Sequence, residues 1–379
     1  MDEGGRGALR ANPDATGSGR REAAGVGHSF QIVGERQETL ADLTAGIVHA
    51  LEEQGFEPAE EREAPAIVLN LVDAEEPRPF RRRARGTFAA ALWSLPETPS
   101  DALRETYPML VRALANISLC YVPGHGVFFT TMERGCYLVP EGPQLAETVV
   151  SRLEPLATSR LVIDNAFRRD LEPELWQGDG LTREIAETGR RLDRLGLLPA
   201  PFPVENLVSE RDLRQIKRLY AIGGLSYGNL SARKDADRFW MSASGVDKAK
   251  LDEPGRDILL VSGYDAERAT MVLTVPPDVE PRRVSVDAIE HWMIYRANPD
   301  VGAILHVHAW MDGIDATDIN YPCGTAELAE SVAALIAAAP DPAHTVVGLR
   351  NHGITATGSS LTEIVDRIEP SLLPQIPMT

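Results

Sequence analysis

His306 and His308 stand one residue apart at the end of an apolar run, residues 301–305, and a third histidine, His352, lies within Leu349-Arg350-Asn351-His352-Gly353. Side chains at i and i+2 of an extended strand point to the same face, so one ion can be gripped by both rings. A third imidazole from a separate segment completes a set of three nitrogens and leaves positions open for water or substrate. Structural zinc sites are normally closed by four protein ligands, so the three-nitrogen set points to catalysis. A lone His-x-His pair is more often surface or packing than metal ligand, and what surrounds it decides between the two.

The segments that must position these rings read as follows. Residues 28–34 predict a strand, and 38–54 a helix with Leu40, Leu43, Ile47, Val48 and Leu51 at helical spacing. Strands are expected at 66–72 and 86–93, joined by a basic connection at 77–85, and a helix at 102–115. Three short strands at 117–122, 127–130 and 135–139 follow, the first two joined by the turn Pro123-Gly124-His125-Gly126, and then a helix at 145–156. Residues 28–160 thus read as a separate α+β module without a nucleotide-binding fingerprint. Its arginines Arg78, Arg81, Arg82, Arg83 and Arg85 could grip a phosphate, but in so acidic a chain a solvated connection is the better reading. His125, between two glycines, reads as a surface residue.

Residues 161–180 read as a linker. A helix at 181–198 carries Ile185, Leu192, Leu195 and Leu198 on its apolar side and is stopped by the proline-rich run 199–203. A second helical segment, 210–220, leads into the glycine-rich stretch 223–233. Residues 239–245 read as a strand that runs into a small-residue turn, followed by strands at 257–262 and 270–275, a helix at 287–295, a turn at 298–300 and then the strand that carries His306 and His308.

Composition narrows the classes. A chain of 379 residues exceeds one ordinary core and predicts two domains. The net charge of −18 argues against nucleic acid or an anionic membrane surface as the main partner, and no apolar stretch is long enough to span a bilayer. Residues 1–27 lack the hydrophobic segment of a secretory signal, and their acidic residues suit a transit peptide poorly, so a disordered tail is expected there. Three scattered cysteines, Cys120, Cys136 and Cys323, form no CxxC pair and predict a reducing, cytoplasmic setting.

The order of short motifs is more specific than any one of them. GNLSAR (228–233), MSASG (241–245), VSVDAIEH (284–291), IYRANPDVGAILHVH (294–308), GTAELA (324–329) and RNHG (350–353) follow one another. This series resembles the class II aldolase/adducin family over about residues 181–367. The resemblance implies an α/β three-layer (αβα) domain with a mostly antiparallel sheet over 181–379. It also implies a divalent metal, commonly zinc with iron or manganese as alternatives, on His306, His308 and His352, and a homo-oligomeric ring.

In such a site the metal chelates the oxygens of a small hydroxyketone or sugar-derived substrate and stabilises the enediolate formed as a C–C bond breaks or a proton leaves. The family glutamate that moves the proton falls on Asp287. A helix-start aspartate favoured by the macrodipole is the competing reading of that residue. Substrate phosphate, where the family binds one, falls on Gly228, Asn229, Ser244, Gly245 and Ser285. The chain departs from the pattern at Asp287, one methylene shorter than glutamate, and at Val286, where a second serine is usual. The connection 309–323 is also short, and no counterpart of the longer helical tail is found. The resemblance therefore implies a metal-dependent lyase of carbohydrate-type chemistry. A non-catalytic adducin-like scaffold and a non-haem iron oxygenase on the same fold are the alternatives.

Overall fold

Continuous apolar runs with no polar alternation become strands covered on both faces. In this computed structural model, which describes residues 28–60, 64–84, 86–131, 135–196, 210, 214 and 228–379, β1 is Ser29–Gly34 and β2 the short Glu57–Pro58. β3 (Ile67–Leu71) and β4 (Phe88–Ser94) have no exposed residue. β5 (Ile117–Val122), β6 (Gly126–Thr131) and β7 (Cys136–Pro140) complete a sheet in the order β2-β1-β3-β4-β5-β6-β7. Helix α1 (Ala41–Glu53) lies in the connection from β1 to β3, α2 (Ala102–Arg112) in that from β4 to β5, and α3 (Leu145–Thr158) follows β7. Where the sequence reading expects an α+β module, β1, β3, β4 and β5 run side by side in parallel. Crossovers through α1 and α2 join β1 to β3 and β4 to β5, and residues 72–87 supply the length that a parallel return from β3 to β4 needs; the β5–β6–β7 end is antiparallel. The tail 1–27, Arg85, the proline run 199–203, most of the segment 210–220 and residues 223–227 of the glycine-rich stretch lie outside the described residues.

The second sheet has the order β14-β15-β13-β9-β10-β11-β12-β8. Its strands are β8 (Asp164–Arg168), β9 (Asn229–Arg233), β10 (Phe239–Ser242), β11 (Ile258–Asp265), β12 (Thr270–Thr274), β13 (Ala303–Val307), β14 (Val346–Leu349) and β15 (Gly353–Gly358). The described pairs are antiparallel apart from β12 with β8. β8 comes from the stretch read as a linker. Its sequence, Asp-Asn-Ala-Phe-Arg, is polar and mostly exposed, as an edge strand can be, so it carries no apolar pattern to announce it.

Among the described residues, four helices cover this sheet: α4 (Gly180–Arg194), α5 (Ala288–Ala297), α6 (Ala326–Ala338) and α7 (Leu361–Ile368). Asp179 caps α4 in a capping box with Thr182, and Thr325 and Ser360 cap α6 and α7. Register places the helices on opposite faces. Trp240 pairs with Ala232, and its indole donates to Asp179 at the start of α4. The neighbouring residue Ser231 points the other way and bonds to α5. α7 packs beside α4, where Arg191 pairs with Asp366 and Glu369, and α6 packs on α5.

Candidate metal centre

β13 lies between β9 and β15, and register aligns His306 with Asn229 on one side and Thr355 on the other. The turn from β14 to β15 therefore falls at the same end of the sheet as His308, just beyond β13. That turn carries His352 after Asn351, whose φ of 59° is a left-handed conformation that asparagine tolerates better than most residues. On the other flank Gly228 has a φ of +81°, and a Cβ there would lie 2.4 Å from the His306 carbonyl oxygen. Only glycine lets β9 start this close to β13.

The three imidazoles come together. One nitrogen from each of His306, His308 and His352 lies within 4.8 Å of the others, and His308 Nε2 and His352 Nε2 are 3.1 Å apart. The rings pack edge to face, with centroids 4.7–5.2 Å apart and interplanar angles of 66–76°. His306 Nδ1 lies 3.0 Å from the Ile354 carbonyl oxygen. A carbonyl only accepts, so Nδ1 carries the proton of the neutral ring and Nε2 presents a lone pair. That Nε2 is buried and has no hydrogen-bond partner among the described residues. Burial, aided by the nearby Lys248 ammonium, holds the His306 pKa down at about 4, so the ring is neutral at physiological pH, the state a metal ligand requires. A second ring nitrogen anchored to a carbonyl is also how metal-binding histidines are commonly oriented. These residues fit a divalent ion.

Behind the imidazoles, β9 and α5 are joined by alternate residues of the GNLSAR segment, as period-two geometry demands. Asn229 donates its side-chain amide to Asp287 Oδ2 at 2.7 Å. Ser231 Oγ lies 2.7 Å from His291 Nδ1 and 2.9 Å from the Tyr295 hydroxyl. Arg233 donates to the carbonyl of Tyr295 in the last turn of α5 and to those of Asn298 and Val301 beyond it, and stacks over the Tyr295 ring. Asp287 is the residue before α5, but its side chain makes no capping bond to the helix. The carboxyl instead turns toward Asn229, is 6% exposed, and leaves Oδ1 without a hydrogen-bond partner among the described residues. Burial raises its pKa, opposed by the charges of His352 and Lys248 and by the Asn229 amide.

Two groups escaped the sequence reading. Glu290, one helical turn after Asp287, is 2% exposed and accepts from Thr355 Oγ1 at 2.6 Å. Burial, and then the Asp287 charge, push its pKa up to about 8. Lys248, in the turn after MSASG, is 3% exposed, and burial lowers its ammonium to about 8 against the pull of Asp287 and Asp247. A charged residue inside a helix with apolar neighbours was the available signal for Glu290. Nothing local distinguishes Lys248 from Lys250, which is exposed and paired with Asp247. The segments expected to hold substrate oxygens also gather at this end. Ala243 bridges Val284, Ser244 N donates to Arg283, and Ser285 N donates to Ser242. Ser244 and Gly245 are half-buried, while Ser285 is 8% exposed.

Comparison with known proteins agrees with the motif series. Residues 215–311 match the family model for the Class II Aldolase and Adducin N-terminal domain, a span that includes Asp287, His306 and His308 and stops before His352. The chain is 29% identical over 126 residues to the methylthioribulose-1-phosphate dehydratases of two strains of Leptospira biflexa, covering 32% of this chain and 54% of theirs. It therefore spans about half the length of the curated relatives it matches. Among solved structures, an L-fuculose 1-phosphate aldolase aligns at 19% identity with a TM-score of 0.35, over 51% of this chain and 83% of that one. An aldolase II superfamily protein from Pseudomonas syringae aligns at 16% identity with a TM-score of 0.34, over 53% and 75%.

Proposed function

We propose that this chain, which carries a segment of the class II aldolase and adducin family, is a metal-dependent lyase acting on a small hydroxyketone or sugar-derived substrate. The observation that carries the reading is the buried set of His306, His308 and His352, with the His306 Nε2 lone pair turned to no partner among the described residues. A divalent ion on these nitrogens supplies Lewis acidity for charge developing on substrate oxygens. Zinc suits the donors best, and iron or manganese would also be accepted.

The chain's own groups handle the proton. Asp287 is held at Oδ2 by Asn229 and free of hydrogen bonds at Oδ1 among the described residues. Burial makes it a stronger base than a surface aspartate, suited to taking the proton beside the substrate carbonyl at Oδ1 and returning it to the departing group. Two carboxyls this close do not both ionise readily, so Glu290 keeps its proton at neutral pH. Asn229, Gly228, Ser244, Gly245 and Ser285 are proposed to receive substrate oxygens, with Val286 removing one donor found in the family pattern. Dehydration, as in the name of the curated relatives, and aldol cleavage both require this same proton transfer. The retained histidines weigh against a scaffold role. An iron oxygenase would use the same donors and differ in needing ferrous ion and dioxygen.

A cytoplasmic location and a homo-oligomer are parts of the same proposal. They are supported by the sparse cysteines and by the family's ring assembly, and no described helix is long and apolar enough to cross a membrane. The test has two readings. Protein purified without chelator should contain about one divalent ion per chain, and His306→Ala should lose it. The loaded protein should exchange the ketol protons of dihydroxyacetone or its phosphate with deuterium oxide, and Asp287→Asn should keep the ion while slowing exchange about 10²–10⁴-fold. Absence of bound metal, or exchange equal in wild type and His306→Ala, would sink the reading.

A further inference from the structure

The thiol of Cys323 abuts the three-histidine cluster at its His352 side. Its Sγ lies 3.3 Å from His352 Nε2 and 3.9 Å from Nδ1, and the same Nε2 is 3.1 Å from His308 Nε2. Donor atoms this close around one nitrogen repel unless a proton or a cation lies between them. Two ligands of one tetrahedral zinc ion, with bonds of about 2.0–2.1 Å to nitrogen and about 2.3 Å to sulfur, stand roughly 3.3–3.6 Å apart. The separations on either side of His352 Nε2 are close to that range. The second, independent sign of a ligand is His306 Nε2, 99% buried by its 1% exposure and without a hydrogen-bond partner among the described residues.

Cys323 is also held in place. The Thr325 hydroxyl donates to the Pro322 carbonyl at 2.8 Å, Val162 N donates to the Gly324 carbonyl at 2.7 Å, and Thr325 bridges Leu161. A Cβ on Gly324, whose φ is +75°, would lie 2.8 Å from Ile163 Cγ2 and 3.1 Å from Val286 Cβ, so the residue after the cysteine is fitted closely against its neighbours. The short connection 309–323 is what delivers the thiol here directly from His308, just beyond the end of β13.

We infer that Cys323 is the fourth protein donor of this centre, making it a three-nitrogen, one-sulfur site whose thiolate must yield to substrate oxygen or share the ion with it. The inference rests on the three-histidine reading above. On binding, the S–H bond breaks, the sulfur–metal bond forms and the proton passes to solvent, with no change of oxidation state. A thiolate selects zinc or cobalt over magnesium, manganese or calcium.

Cobalt(II) titration of the full chain tests it by absorption, without an assay of activity. Wild type should bind about one cobalt per chain and show the intense near-ultraviolet band of thiolate-to-cobalt charge transfer beside the weaker visible bands. Cys323→Ser should keep the visible bands, lose the charge-transfer band and bind zinc at least ~10-fold more weakly in competition with a chromophoric chelator. Stoichiometric cobalt in wild type without the sulfur band overturns this inference and leaves the histidine site standing. So does a band that persists in Cys323→Ser, since the sulfur would then be Cys120 or Cys136. Failure of wild type to bind cobalt at all overturns both readings.

Discussion

Glu290 and Asp287 sit one helical turn apart, both nearly inaccessible to water, in a region that also holds the Lys248 ammonium. The folded state binds the Glu290 proton more tightly than the unfolded chain does, because burial and the Asp287 charge raise its pKa to about 8 from the usual carboxyl value of about 4.5. By linkage, the favourable contribution of the protonated carboxyl is fully present below about 4.5 and is lost as pH rises through about 8. Glu290→Gln cannot ionise and retains an acceptor for Thr355. The metal-free variant should match wild type near pH 4.5 and unfold at a progressively higher temperature than wild type up to pH 8, by roughly 3 °C or more there. Comparing the two proteins cancels the opposite trend expected from His306, whose depressed pKa makes the folded state gain stability as pH rises from about 4. Parallel midpoint-versus-pH curves for the two proteins would show that Glu290 is ionised in the fold and that the proton assignment above is wrong.

The strand β9 shows how an element can be a scaffold and a site together. Asn229, Ser231 and Arg233 point to one face and engage Asp287, His291 and the C-terminal end of α5 in turn. The arginine of the motif therefore has a structural duty: it satisfies carbonyls at and beyond a helix C-terminus that no intrahelical donor can reach. Arg233→Ala should lower the unfolding free energy by about 2–3 kcal/mol in a denaturant titration, and Arg233→Lys should recover less than half, since an ammonium cannot reproduce the planar fork. An unchanged midpoint for Arg233→Ala would mean the three carbonyls are served by water instead. Much of this layout was legible beforehand. The apolar run before His306 and the Asn298-Pro299-Asp300 turn are local patterns, and the local pattern delivered them, whereas the β14–β15 hairpin that carries His352 was not expected from its sequence. The parallel pairing of β1, β3, β4 and β5 was not, because strand partners are set by crossovers and not by residue periodicity. Strand β8 escaped because an exposed edge needs no apolar alternation. Glu290 and Cys323 escaped because their meaning lies in what the fold brings beside them: Thr355 is 65 residues from Glu290 in sequence, and His352 is 29 from Cys323.

At the scale of the whole molecule, the residues after α7 tie the centre to the first sheet. Leu373 exchanges two backbone hydrogen bonds with Trp310, each 2.8 Å. Farther on, Met378 packs with the apolar cluster of α1, α3 and the first sheet, and its sulfur lies 2.8 Å from the position a Cβ on Gly135 would take. Thr379 N donates to Asn351 Oδ1 at 2.9 Å, and Asn351 Nδ2 donates back to the Thr379 oxygen at 3.1 Å. Arg350 and Arg152, the latter on α3, also reach that oxygen. Both polar ends of the Asn351 side chain are thus held by one segment, and Asn351 is the left-handed residue that aims the next residue, His352, at His308. Removing residues 375–379 leaves the Asn351 side chain without these bonds and frees the hairpin to adopt other turns. The truncated protein should bind zinc about 10-fold more weakly and exchange the amides of 346–358 faster in the metal-free state, while β9 and β10 exchange as before. Asn351→Ala should reproduce the loss of affinity without disturbing the packing of Met378. Full zinc affinity in the truncated chain would show that the hairpin holds its shape by its own pairing with β13, and that the first sheet contributes nothing to the centre by this route.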